Sequence, residues 1–153
     1  MESLLKKLNY KAGTPVRLAQ LPAELESLQN WFAANTPLIS PDSGDMAGFA
    51  LLFVTTQAEI DLWVPRLHAL LEGDALFWCC YPKGSSKRYR CDFNRDTGWE
   101  TFGQLGYEPV RQVAINDDWS ALRFRKVAYI QKITRSKTMA LTEEARQRTS
   151  STQ

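Results

Sequence analysis

Two uninterrupted apolar runs, Phe49-Ala-Leu-Leu-Phe-Val54 and Ala75-Leu-Phe-Trp-Cys-Cys-Tyr81, constrain this chain more than any other feature. Neither run alternates, so each reads as a strand covered on both faces, the pattern of a parallel sheet with helices on either side. Between them, Thr56-Gln-Ala-Glu59 reads as a capping box, in which the Thr and Glu side chains satisfy the orphan amides of a helix start. The helix it opens places Ile60, Trp63, Val64, Leu67, Leu70 and Leu71 on one face. Pro65 is expected to kink or shorten it, and Gly73-Asp74 to stop it.

The rest of the chain extends this unit in both directions. Leu4, Leu5 and Leu8 have helical spacing, Gly13-Thr14-Pro15 breaks that helix, and Val16–Leu21 reads as a first strand. Pro22 suits the first position of a second helix, with Leu25, Leu28, Trp31 and Phe32 on its buried face and Asn35-Thr36-Pro37 at its end. Thr97-Gly-Trp-Glu100 offers another capping box, for a short helix through Leu105 ended by Gly106. Arg111–Ile115 and the stretch carrying Leu122 and Phe124 alternate, joined by the turn Asn116-Asp117-Asp118. The order βαβαβαββ predicts a three-layer α/β sandwich, with a mostly parallel five-stranded sheet and an antiparallel edge hairpin. A doubly wound strand order 2-1-3-4-5 is expected, although strand one, with Arg17 and Gln20, is less apolar than a central strand should be. Residues 1–129 form the expected domain, and the polar stretch 130–153 an expected mobile tail.

Composition narrows the setting. At 153 residues and 44% hydrophobic, the chain suits one domain with a substantial core. No apolar run approaches the roughly 20 residues that span a bilayer, and the N-terminus lacks the apolar stretch of a secretory signal. The cysteines are Cys79, Cys80 and Cys91, and an odd count fits a reducing compartment better than a disulfide framework. Neighbouring Cys79 and Cys80 point to opposite faces of a strand and read as buried, inert thiols. A cytoplasmic location is expected. The formal charge of +2 hides a split. Residues 1–82 carry five basic and nine acidic side chains, net −4, and residues 83–153 carry 14 and 8, net +6.

Ligands of open α/β sheets bind beyond the carboxyl ends of the parallel strands. The loop expected there, Lys83-Gly84-Ser85-Ser86-Lys87, combines a glycine, two hydroxyls and two cations, the composition of an anion cradle without the spacing of a phosphate-binding loop. Lys83, Gly84, Ser85, Ser86, Lys87, Arg123 and Arg125 are therefore the expected ligand-binding residues. No catalytic constellation, metal set or cofactor is expected. His68 is the only histidine and reads as a helix-packed or surface residue, and Asp117-Asp118 reads as turn chemistry. Trp31, Trp63, Trp78 and Trp99 fall on core faces, whereas Trp119, beside two aspartates, is expected to be partly exposed. Tyr89, interleaved with Lys87, Arg88 and Arg90, suits stacking on nucleic-acid bases.

Three stretches carry a resemblance: Tyr81-Pro-Lys-Gly-Ser-Ser-Lys87, Arg95-Asp-Thr-Gly-Trp99, and Val113-Ala-Ile-Asn-Asp-Asp-Trp-Ser-Ala-Leu-Arg-Phe-Arg125. Together with Leu8-Asn-Tyr-Lys-Ala-Gly13 they resemble an uncharacterised bacterial family of small cytosolic α/β proteins, over roughly residues 8–127. The resemblance implies a fold and no activity. It draws attention to Arg95, Asp96 and Trp119 as structural or supporting positions, with Arg123 and Arg125 able to pair with Asp92, Asp96 or Asp117. The expected function is a non-enzymatic binding domain for a small anionic ligand or a protein partner. The alternatives are a nucleic-acid-associated protein using segments 83–95 and 123–137, and an unrecognised enzyme. Oligomeric state is left open.

Overall fold

A computed structural model describes residues 2–94 and 97–130. The elements are α1 (Glu2–Lys7), β1 (Val16–Ala19), α2 (Glu26–Asn35), β2 (Ala47–Phe53), α3 (Gln57–His68), β3 (Leu71–Pro82), α4 (Glu100–Gln104), β4 (Tyr107–Ala114) and β5 (Trp119–Lys126). After α1, the order is the expected βαβαβαββ. Of the expected tail, everything after residue 130 lies outside the described residues, as do Arg95 and Asp96.

The sheet runs β1-β2-β3-β5-β4. β1, β2 and β3 are parallel, and β5 is antiparallel to both β3 and β4. This is the expected α/β sandwich, but not the expected strand order. β1 is one of the two outer regular strands, which explains its polarity. Its buried Arg17 donates through Nη2 to the carbonyls of Ser43 and Asp45, at 2.6 and 2.7 Å, holding the loop that precedes β2.

A trace of the doubly wound order survives outside β1. Leu38 forms a single parallel bridge to Val16, with Val16 N donating to Pro37 O and Ile39 N to Val16 O. The chain thus leaves β1 through α2, touches down on the outer side of β1, and only then returns to β2. Right-handed crossovers in opposite directions place their helices on opposite faces. Accordingly, Leu28 and Phe32 of α2 pack with Phe49, Leu51, Trp78 and Cys80 on one face. Ile60, Val64 and Leu67 of α3 pack with Ala50, Leu52, Phe77 and Cys79 on the other. The two cysteines do point to opposite faces, and the Trp78 indole anchors the end of α1 by donating to Leu8 O at 3.0 Å. The winding reverses between β1 and β2.

Three local expectations are corrected. Leu70 and Leu71 do not extend α3: the helix ends at His68, three residues after Pro65, whose ring removes a backbone donor. Leu71 instead opens β3 opposite Ala47, and the next pair is Phe49 with Leu76, so residues 72–75 bulge outward with Gly73 at φ +59°. The box at Thr97 does not form. Thr97 N donates to Asn94 Oδ1 in a turn whose Gly98 sits at φ +90°, and α4 begins at Glu100 without a side-chain cap. A Cβ at Gly98 would stand 2.7 Å from Phe93 Cβ, so the turn leaves no room for a side chain there. β4 starts at Tyr107, earlier than expected, with an irregularity between Pro109 and Arg111 that suits an edge strand. The capping box at Thr56 and Glu59 is present in full.

Candidate functional site

The carboxyl ends of β1, β2 and β3 meet three connections: the turn at Gln20-Leu21, the turn at Thr55-Thr56, and the loop from Lys83 to Asn94. Each is held by side chains reaching across the edge.

At the reversal between β1 and β2, Gln20 adopts φ +58°, a left-handed conformation strained for a residue with a Cβ. That conformation turns its amide across the gap, where Nε2 donates to Phe53 O at 2.8 Å. Just beyond, Glu59 Oε1 accepts from Thr55 N, Thr56 N and Thr55 Oγ1, at 2.7, 3.1 and 3.0 Å. Burial alone would push the Glu59 carboxyl up. The hydrogen bonds from Thr55, Gln20 and Thr56 outweigh it and hold the group below the usual carboxylate range. Asp92 reaches over from the third loop, its Oδ1 accepting from Gln57 N at 2.8 Å.

The loop after β3 is pinned from the other side. Lys83 N donates to Asp118 O and Ser86 N to Lys83 O, at 2.8 and 3.0 Å. Ser86 Oγ donates to Asp118 Oδ1 at 2.8 Å and accepts from the amides of Arg88 and Tyr89. Tyr89 lies against Trp119 with ring centroids 4.8 Å apart, and Trp119 against Phe53 at 5.2 Å. The Tyr89 hydroxyl donates to the Glu24 carboxylate, while Arg88 approaches the same carboxylate at 3.9 Å. The Tyr89 hydroxyl, with smaller help from Trp119 and Arg88, holds Glu24 below its usual range, and Glu24 in turn raises Tyr89.

These contacts change the reading of the expected site residues. The cradle has the right composition, but the Ser86 hydroxyl and the Lys83 and Ser86 amides are committed to the loop's own structure. A Cβ built on Gly84 meets nothing within 4 Å, so no close approach requires that glycine. Gly84, Ser85 and Lys87 are exposed, and Lys83 is half-buried. Arg123 and Arg125 do not join them. The register sets Trp119 opposite Pro82 and Phe124 opposite Phe77, so both arginines lie toward the amino end of β3, about 20 Å from the loop at roughly 3.3 Å per residue. There they line a cleft of about 690 Å³ with Asp74 and Glu72, and Arg125 grips Asp74 through Nε and Nη2. Their expected partners Asp92 and Asp117 are not used. Trp119 is buried, 2% exposed, rather than partly exposed as expected, because Tyr89 and Phe53 enclose it. His68 packs at the far end of α3, its Nδ1 2.8 Å from the Tyr107 hydroxyl. Burial, then Lys126, lowers the His68 pKa, and burial pushes Tyr107 up to about 12.

Beside the loop, a cleft of about 810 Å³ opens on the α3 side of the sheet. Tyr81 and Phe93, both nearly buried, and Tyr89, whose ring is turned to Trp119, line it with Lys83, Arg90, Asn94, Gln112 and Ser120. Sequence reasoning singled out Tyr89, for base stacking, but not Phe93 or Gln112; a single residue from an exposed edge strand carries no signal of its own. Among the described residues, no group of three His, Cys, Asp or Glu side chains is placed to hold a metal, and no helix is long and apolar enough to cross a membrane.

No protein-family model and no curated protein matches the chain. Solved structures do. The chain is similar to a SAM-dependent methyltransferase from Aquifex aeolicus, with TM-score 0.55 and 10% identity, over 81% of this chain and 88% of that one. It is also similar to magnesium protoporphyrin IX methyltransferase from Synechocystis PCC 6803 with bound SAM, with TM-score 0.54 and 11% identity, over 82% and 77% of the two chains. The N-methyltransferase NodS from Bradyrhizobium japonicum gives TM-score 0.51 and 8% identity, over 81% and 93%. At these identities the likeness is one of fold. The expectation of a non-enzymatic domain for an anion or a protein partner is corrected on this finding, since the solved structures named here are methyltransferases.

Proposed function

We propose that this chain is a methyltransferase-like domain whose working site is the cleft beside the loop from Lys83 to Asn94, and that it takes a small organic molecule with a planar heteroaromatic ring. The observation that carries this reading is the lining of the cleft. Tyr81, Tyr89 and Phe93 line it together with Asn94, Gln112 and Ser120 at the carboxyl edge of the sheet, and the volume falls within the range of about 300–1,000 Å³ typical of small-molecule sites. Rings stack on rings, while Asn94, Gln112 and Ser120 are suited to hydrogen-bond a heteroatom edge. Three free thiols support a reducing, cytoplasmic setting.

The fold of the solved neighbours favours a second reading, methyl transfer from SAM. The residues at the reversal point of the sheet do not fit a nucleotide-type cofactor. Such a cofactor rests on a glycine-rich turn after the first strand, which lets the backbone approach it. The turn here reads Gln20-Leu21-Pro22-Ala23, and the Gln20 side chain is tied across the gap.

Titration of the labelled protein with purines, pteridines and flavins, followed by amide and aromatic NMR, tests the proposal. Saturable shifts at Tyr81, Tyr89, Phe93, Asn94, Gln112 and Ser120 are expected, and Gln112→Trp, which blocks the rim, should abolish them. Absence of saturable shifts there with every such ring system overturns the reading.

A further inference from the structure

Four amide groups at the start of α3 that could receive an anionic or nucleotide ligand already have partners from within the chain. A helix N-terminus after a parallel strand attracts such ligands because its first N–H groups lack intrahelical acceptors. Here Thr55 N and Thr56 N donate to the Glu59 carboxylate, Gln57 N to the Asp92 carboxylate, and Glu59 N to the Thr56 hydroxyl. Asp92 comes from a different segment 35 residues on, and its own amide donates back to Thr55 O at 3.4 Å. Two carboxylates, Glu59 and Asp92, therefore stand where a ligand's negative charge would sit, and Gln20 spans the adjoining gap to β2.

We infer that Asp92, Glu59 and Gln20 act together as an internal ligand, closing the reversal point of this sheet to a nucleotide-type cofactor. Asp92 delivers its charge to the helix start from the same loop that borders the open cleft, so one segment both closes the crevice at the reversal point and borders the cleft beside it. The inference does not rest on the ligand proposed for that cleft.

The test uses the full-length, isotope-labelled protein and S-adenosylhomocysteine as the probe. Expected at millimolar probe are unmoved amide resonances for Thr55, Thr56, Gln57 and Glu59. Saturable shifts at those four amides overturn the inference. Binding with shifts confined to residues 81–94 and 112–120 supports it, since the probe then occupies the cleft and leaves the crevice closed. In a second arm, Asp92→Asn keeps the side-chain shape but removes the charge, and Asp92→Ala removes the acceptor. Hydrogen exchange at Gln57 should rise by about tenfold in the alanine variant and less in the asparagine variant. Unchanged exchange at Gln57 in both variants overturns the role given to Asp92, whatever the cleft binds.

Discussion

The Tyr89 hydroxyl donates to the Glu24 carboxylate, tying the loop that leaves β3 to the turn that leaves β1 across the top of β2. The pair is braced by Trp119 beneath the tyrosine ring and by Arg88 beside the carboxylate. It thereby decides how far the loop can swing from the sheet. Tyr89→Phe keeps the ring contact with Trp119 and removes only the hydroxyl. It should destabilise the domain by about 1 kcal/mol and raise hydrogen exchange in residues 83–90 while leaving β2 protected. The double variant with Glu24→Gln should cost less than the sum of the two single changes. Additive costs, measured by urea unfolding, would show that the two residues do not act as a pair.

The second prediction concerns acid. Glu59 is held below the ordinary carboxylate range in the folded chain, although burial opposes this, because Thr55, Gln20 and Thr56 donate to it. A carboxylate whose folded pKa is depressed stabilises the fold above its unfolded value and loses that contribution as pH falls through the folded one. Glu59→Gln removes the titrating group while keeping a side-chain acceptor. At pH 7 the variant should be less stable than the parent by about 1 kcal/mol. The difference should shrink as pH drops below the ordinary glutamate value of about 4.3. A constant difference across that window, from unfolding at pH 7, 5 and 3, would mean that the carboxylate charge plays no part in the cap.

Much of this architecture is written in local chemistry. The two apolar runs, the Thr56 box and the Asn116 turn specify strands, helix and hairpin through interactions a few residues long. What local pattern does not carry is which strand neighbours which. The polar character of β1 pointed to an edge position, and the expected order 2-1-3-4-5 failed at both ends: the strand outside β1 is reduced to the single bridge at Leu38, and β5 rather than β4 pairs with β3. The candidate site was half legible for the same reason. Lys83–Lys87 do lie at the carboxyl edge, as the strand before them required. The partners of Ser86 and the separation of Arg123 from the loop depend on the β3–β5 register, and no spacing within either segment encodes it. Gln20 left no trace in the sequence, since a left-handed glutamine reads like any other polar residue after a strand.

Gly98 sets the shape of the cleft through Phe93. It adopts φ +90°, and a Cβ there would stand 2.7 Å from Phe93 Cβ, an atom fixed to the backbone that cannot swing aside. Gly98→Ala must therefore both strain its own backbone and push Phe93 from its place among Tyr81 and Trp99. A loss of about 3 kcal/mol is expected, with altered ring resonances for Phe93 and Tyr81 and weaker binding in the cleft. An alanine variant with parental stability and unchanged Phe93 resonances would remove Gly98 from this account.

The last prediction separates backbone from side chain at Gln20. Its φ of +58° is costly for any residue with a Cβ, whereas glycine adopts it freely. The conformation is retained in this chain because the amide reaches Phe53 O and the Glu59 carboxylate. Gln20→Ala loses those bonds and keeps the strain; Gln20→Gly loses the bonds and relieves the strain. The alanine variant should fall below the parent by about 1 kcal/mol or more, and the glycine variant should recover about 1 kcal/mol relative to alanine. Glycine should also leave the crevice wider, since nothing then spans from β1 to β2. If chemical denaturation finds alanine and glycine equal, the strain at this turn is not real, and the account of why glutamine stands where this fold's ligand-binding turns carry glycine fails with it.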